Sequence, residues 1–352
     1  MYPPESAPMI HHRREPLHGR ALVRELRAAL LAQARRLGKA AKPATKNRTG
    51  NNRGMRLPFR RSVPIGLILA LSCGHAQSLE RALRERIAQL PATVSLYAKN
   101  LDTGATFGIH GAEPVRTAST IKLAVMMAVF DAVAHGQAKF DEPLTITPQE
   151  KVSGSGVLGT EFSDYVQLPL RDVMHLMIVL SDNTATNMIL ERFTADSVNA
   201  YLDRIGIKNT RSMRKILGSG PARGISAAGK LPENAKFGIG KSTPLDMVTM
   251  LERIERGEIV SPDASKEMIA VLKRNQDNTG IARRFDGVPV AHKTGALDAL
   301  RADVGIVYAK TGRVAMAIYV DGIAKPDWSP DNPGSVLIAD VAKLLLDGLA
   351  AK

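Results

Sequence analysis

The spacing of apolar positions divides the chain into three kinds of segment. Between residues 93 and 110 the stretch TVSLYAKNLDTGATFGIH alternates in strand fashion around an Asp102-Thr103-Gly104 turn, predicting two antiparallel strands. From there to residue 273 the apolar residues recur every three to four positions. These periods predict helices over 119–134, 168–180, 184–193, 196–205, 243–256 and 263–273. Strand-like runs return in VAHKTGA, ADVGIVYA and RVAMAIYVDG, and helical periods at about 79–88 and 335–349 bracket the whole. Strands from both ends with a helical block between them predict an α/β fold of the α+β type. Its antiparallel sheet of about five strands is flanked by terminal helices and stands beside an all-helical subdomain, with the active site in the cleft between them. No repeat, low-complexity linker or charge block interrupts residues 77–352, which read as one domain.

Composition changes this picture mainly at one end. A 352-residue chain that is 44% hydrophobic has ample material for a core. The net charge of +14 would suggest a nucleic-acid or anionic partner if it were spread over the fold. Residues 1–76 instead hold 15 Lys and Arg against 3 Asp and Glu, and residues 77–352 hold 33 against 31. The folded part is nearly neutral, so no nucleic-acid partner is expected.

The boundary at 76 has the three regions of a secretory signal. Arg56, Arg60 and Arg61 precede a short apolar run from Val63 to Leu71, followed by Gly74 and Ala76 as a small-x-small pair. The run is too short to cross a bilayer. Residues 55–76 are therefore expected to be a signal peptide starting at Met55 and cleaved after Ala76. The competing reading is lipidation at Cys73, the only cysteine; either way the product is periplasmic or secreted, with no integral span after signal removal. If Cys73 leaves with the signal, the remaining chain has no thiol. Residues 1–54 read either as an over-long start, untranslated or disordered, or as a basic membrane-surface helix on a polar tail.

One residue in the first long helix is out of place. In ASTIKLAVMMAVF, Lys122 sits among apolar neighbours, where an unpaired ammonium costs several kcal/mol or loses its proton. Ser119 lies three positions earlier on the same helical face, at the positive end of the helix dipole. A neutral Lys122 could take the serine proton, giving a nucleophile and its base. Sixty-two residues after Ser119, Ser181-Asp182-Asn183 breaks two helical periods. Another 112 residues on, Lys293-Thr294-Gly295 lies on a strand, with Gly295 permitting close backbone approach. A second Lys-Thr-Gly, Lys310 to Gly312, joins two strand runs and reads as a solvated hairpin turn.

The ordered set S-x-x-K, S-D-N and K-T-G resembles the class A serine β-lactamases within the β-lactamase and penicillin-binding serine hydrolase superfamily. The likeness spans roughly residues 90–350 and includes GSGVL (Gly154 to Leu158) and STPLDM (Ser242 to Met247). Taking Lys293 as the motif leaves two strands and a terminal helix after it, as the family requires. The resemblance implies acylation of Ser119 by a β-lactam or acyl-D-alanyl substrate, with Lys122 as base and Ser181 passing a proton to the leaving nitrogen. It further implies that Asn183 holds the substrate amide, that Lys293 and Thr294 hold its carboxylate, and that the N–H groups of Ser119 and Ala296, beside Gly295, form the oxyanion hole. Arg301 is a weaker candidate for a second carboxylate contact, and Asp182 reads as structural.

One departure concerns deacylation. Class A enzymes use a loop Glu after the second motif, yet TRSMRKILGSG has no acid; Glu233, followed by Asn234, is the displaced candidate. Three readings follow: a β-lactamase hydrolysing β-lactams, which is preferred; a penicillin-binding D-alanyl peptidase or transacylase with slow deacylation; and a non-catalytic β-lactam-binding module. The partner is a small-molecule β-lactam or a peptidoglycan stem peptide, and a monomer is the expected state. No metal and no cofactor are expected, because the histidines lack ligand spacing and no phosphate-binding glycine loop is present.

Overall fold

The computed structural model describes residues 77–217 and 223–350, so the expectations for residues 1–76 lie outside the described residues. Helix α1 (77–87) leads into strands β1 (Thr93–Asn100), β2 (Thr106–Ile109) and β3 (Val115–Arg116). A 3₁₀ turn (Ala118–Ile121) runs into α2 (Lys122–Ala134), followed by β4 (Pro143–Thr145), β5 (Gln167–Pro169), α3 (Leu170–Val179), α4 (Asn183–Phe193) and α5 (Ala195–Arg204). Next come β6 (Arg211–Ser212), 3₁₀ turns at Ala228–Lys230 and Pro232–Phe237, β7 (Gly240–Ser242), α6 (Pro244–Glu255) and α7 (Pro262–Leu272). A 3₁₀ turn (Ile281–Arg284), β8 (Val290–Leu297), β9 (Leu300–Ala309), β10 (Gly312–Asp321) and α8 (Pro333–Leu349) complete the described chain.

The main sheet is antiparallel in the order β2-β1-β10-β9-β8, so β8 with its Lys-Thr-Gly is an edge strand. Side chains alternate across a strand, and β10 divides its own between two cores. Val314, Met316, Ile318 and Val320 face the cluster built with α1 and α8, and Ala315, Ala317 and Tyr319 face the helical side. From Leu123 to Phe130 helix α2 is apolar on all sides, which demands an enclosed position for that stretch. Leu123 to Met127 are each 0% exposed at the centre of the helical core.

Short elements set the entries to this core. Ser242 closes β7, Thr243 caps α6 by accepting from the Asp246 N–H at 3.0 Å, and Pro244 takes the first helical position, where its missing N–H costs nothing. Two small sheets, β3-β7-β6 and β4-β5, are additions to the expected helical block. Residues 168 and 169 accordingly belong to β5 rather than to the predicted helix, because Pro169 holds an extended backbone and α3 starts after it. The predicted helix at 119 likewise begins as a 3₁₀ turn, with the α-helix starting at Lys122.

Candidate active site

The three motifs meet where α2, α4 and β8 converge. Thr117 anchors the turn before Ser119 by donating its N–H to the Gly240 carbonyl at 3.0 Å, and Ala118 sits at φ +45°, in the region that favours glycine. Such a backbone costs about 1–3 kcal/mol and persists only where the surroundings enforce it. Strand β8 supplies part of that enforcement. A Cβ on Gly295 would lie 2.8 Å from the Thr117 carbonyl oxygen and 3.2 Å from the Ser119 nitrogen, so only glycine lets the strand come this close. That approach sets β8, with Ala296 next in line, against the N–H of Ser119, where two donors could receive a developing oxyanion.

Lys122 is 0% exposed, and its hydrogen bonds go to the second motif. Nζ donates to the Ser181 carbonyl at 2.8 Å, to Ser181 Oγ at 3.2 Å and to Asn183 Oδ1 at 3.1 Å. Burial, and then the nearby charge of Lys293, hold its pKa well below the ordinary lysine value against the opposing pull of Asp182. A neutral amine in this position can accept a proton and pass it on through Ser181.

Ser181 is itself strained at φ +54°. The GSGVL segment and the Ser153 before it hold it: Ser155 Oγ donates to the Ser181 carbonyl at 2.9 Å, the Asn183 N–H donates to the Ser155 carbonyl at 3.0 Å, and Asn183 Nδ2 donates to the Ser153 carbonyl at 3.1 Å. Asp182 has the structural place expected of it. Its fully buried carboxylate accepts from the N–H groups of Ala185, Val157 and Leu158 at 2.8, 2.6 and 2.8 Å, capping α4 and drawing the segment inward.

The third motif brings carboxylates that sequence reasoning missed. Lys293 is buried, donates to the Thr294 carbonyl at 2.9 Å, and is pushed down to about 8 by burial, against Asp277 and Asp303. Burial acts to raise Asp277, but hydrogen bonds from the Thr279 side chain and N–H, then from the Thr294 side chain, hold its carboxyl below the ordinary value. His292 is explained as well. Its Nδ1 meets Asp303 at 3.1 Å, and the same carboxylate accepts from the Ile281 N–H at 2.8 Å, tying β8 and β9 to the loop beside the site. The one local signal for this loop is Asp277-Asn278-Thr279, a turn-forming triplet.

Two secondary candidates do not join this cluster. Arg301 is mostly buried, and its Nη1 donates to the carbonyls of Leu297 and Leu300 at 2.6 and 2.7 Å while Nη2 donates to the Asp327 carbonyl. Its guanidinium therefore braces a loop. Glu233 is exposed in the 232–237 turn, whereas the neighbouring Asn234 is buried, donating to the Ala228 carbonyl and accepting from Lys241. In the acid-free stretch, Asn187 clasps Ile216, accepting its N–H at 2.8 Å and donating to its carbonyl at 3.0 Å. Lys310 and Thr311 are exposed between β9 and β10, the hairpin turn read from sequence. Among the described residues no group of three or more His, Cys, Asp or Glu could hold a metal ion, and no helix is long and apolar enough to cross a membrane.

Known proteins share this fold. The Beta-lactamase enzyme family matches residues 78–349. Among solved structures, a β-lactamase from Sphaerobacter thermophilus is 27% identical with a TM-score of 0.66, covering 77% of this chain and 96% of its own. PBP-A is 30% identical with a TM-score of 0.64, covering 77% and 95%, and a variant of it has been solved as an acyl-enzyme complex with penicillin G. The beta-lactamase regulatory protein BlaB of Streptomyces cacaoi is 23% identical over 310 residues, 78% of this chain and 98% of that protein. With a family match over most of its length, the chain belongs to the Beta-lactamase enzyme family, within the superfamily of β-lactamases and penicillin-binding serine enzymes.

Proposed function

We propose that this protein is a serine acyl-transfer enzyme that opens β-lactams and acyl-D-alanyl peptides through an acyl-enzyme on Ser119, and that release of the acyl group is its slow half-reaction. The observation that carries the reading is the buried Lys122, its pKa held below the ordinary lysine value by burial, three residues after Ser119 and hydrogen-bonded to Ser181 Oγ at 3.2 Å. Lys122 takes the Ser119 proton as Oγ attacks the carbonyl carbon. The N–H groups of Ser119 and Ala296 stabilise the oxyanion, and Ser181 delivers a proton to the departing nitrogen. Asn183 holds the acyl-side amide, and charged Lys293 with Thr294 holds the carboxylate. In the free protein the Thr294 hydroxyl donates to Asp277, so this proton turns toward the substrate on binding.

Slow release is supported by the surroundings of Lys122. Its hydrogen-bond partners are a hydroxyl, an amide and a carbonyl, and Glu233 is exposed on a separate turn. A hydrolytic β-lactamase is the second reading, favoured by the likeness to the Sphaerobacter enzyme. The signal-like segment at 55–76 supports export as part of the same proposal.

The test is intact mass of residues 77–352 over time with a chromogenic cephalosporin, with Ser119→Ala as control. A lasting Ser119-dependent adduct with one burst of product is expected. Continuous turnover without an adduct would install the β-lactamase reading and make Glu233→Gln the next variant. No reaction at all would overturn acyl-enzyme chemistry.

A further inference from the structure

Beside Lys293 and Thr294 the surface opens into a cavity of about 240 Å³, room for roughly eight waters. It is bordered by Thr294 to Ala296 on β8, by Asp277 and Thr279 on the loop before it, and by Trp328 and Pro330 on the loop before α8, with Ala302 and Ile338 beneath. It shares Thr294 and Ala296 with the roles proposed above, whereas Asp277, Thr279, Trp328 and Pro330 have none there.

Its lining has two distinct ends. The Asp277 end offers acceptors: the carboxylate takes the Thr279 N–H at 3.1 Å and the Thr279 hydroxyl at 2.7 Å, and the Thr294 hydroxyl donates to it as well. Both hydroxyl protons are committed to Asp277, so their lone pairs face an incoming group beside a carboxylate that also feels the charge of Lys293. The other end is hydrocarbon. Trp328 is 66% exposed, a costly state for an indole, and its ring is held 4.7 Å from the Arg301 guanidinium. Arg301 borders the cavity too; its Nη1 and Nη2 are spent on carbonyls, and its charge is faced by Asp327, then Asp277, then Asp298.

A group suited to this cavity has an aliphatic stem that lies along an indole and a donor-rich cationic head that meets a carboxylate. We infer that the cavity is a specificity subsite for a positively charged side chain carried next to the substrate carboxylate, with Trp328 as its aromatic wall and Asp277 as its counter-charge. The inference rests on the proposed holding of that carboxylate by Lys293 and Thr294, and it narrows the substrate class to peptides ending in a basic residue and to β-lactams with a cationic substituent beside the carboxylate.

Trp328 is the only tryptophan in the chain, so its emission reports on this cavity alone. The test titrates the full chain carrying Ser119→Ala with two acetylated dipeptides, D-alanyl-D-lysine and its uncharged analogue D-alanyl-D-norleucine. The lysine peptide is expected to change Trp328 emission and to bind at least tenfold more tightly. Calorimetry on a Trp328→Ala background is expected to shrink that ratio to about threefold, and Asp277→Asn to abolish it. Because each ratio compares two ligands on one variant, any general loss at Thr294 cancels. In parallel, wild-type acylation is compared for two cephalosporins that share an acyl side chain, one with a neutral acetoxymethyl and one with a pyridiniummethyl group beside the carboxylate; the cationic one is expected to react faster by a similar factor. Equal binding of the two peptides, or preference for norleucine, overturns the subsite even if both cephalosporins acylate Ser119. Preference for the lysine peptide without any acylation upholds the subsite and overturns only the proposed chemistry.

Discussion

The chain carries the same three letters twice in one sheet, once along the edge strand β8 and once at the turn from β9 into β10, and the two triplets have nothing else in common. Lys293 is fully buried on the edge strand β8, and Gly295 lies against the Ser119 turn. Lys310 is exposed where β9 turns into β10, and Gly312 sits at φ +127° in that turn, away from the Ser119 site. A lysine gains chemistry from what surrounds it. Burial pushes Lys293 down to about 8, with Asp277 and Asp303 pulling the other way.

The largest expected effect that separates the triplets is Lys293→Ala, which lowers the acylation rate constant with a chromogenic cephalosporin by about 10²–10³; loss of less than threefold would leave the carboxylate contact elsewhere. Next is Gly295→Ala. Its Cβ forces β8 away from the Ser119 turn, and misplacement of this kind costs on the order of 10²-fold in acylation. The pH profile gives the third. Acylation needs Lys293 charged and Lys122 neutral, so it declines as pH rises through about 8 and as pH falls through the depressed pKa of Lys122. Lys293→Arg, which does not deprotonate, removes the alkaline limb. Lys293→Ala also removes a positive neighbour of Lys122, so the acid limb moves to higher pH. At the small end, Gly312→Ala costs about 1–2 kcal/mol through its positive φ, read as a thermal shift with acylation unchanged. Lys310→Ala leaves stability within about 0.5 kcal/mol and acylation untouched.

The sequence made some of this legible and hid the rest for physical reasons. Ser119 and Lys122 are readable because helical spacing fixes their neighbourhood, and an apolar helix exposes the charged exception. The five-stranded sheet is readable because β1, β9 and β10 are long enough for periodicity to register. Two-residue strands such as β3 and β6 have no period to find, and they form only because β7 passes between them. The carboxylates around Lys293 stand on another loop and another strand, so no local pattern links Asp277 or Asp303 to it. The same holds for Lys215, buried against Glu150 at 3.0 Å across 65 positions of sequence.

The position of β10 between β1 and β9 governs when the protein can become active. Thr93 pairs with Asp321 and Asn100 with Val314, so the first long strand waits for almost the last. Contacts this distant in sequence close slowly. A chain that has not yet added β10 has only two separate hairpins, β2-β1 and β9-β8, each marginal in water on its own. Lys293 and Gly295 then stand on an unsupported hairpin, and the Ser119 turn lacks the strand that enforces its backbone. Growth of the chain and onset of reactivity are thus separated by construction, and a product truncated before Gly312 carries every motif residue in an assembly that cannot hold them together.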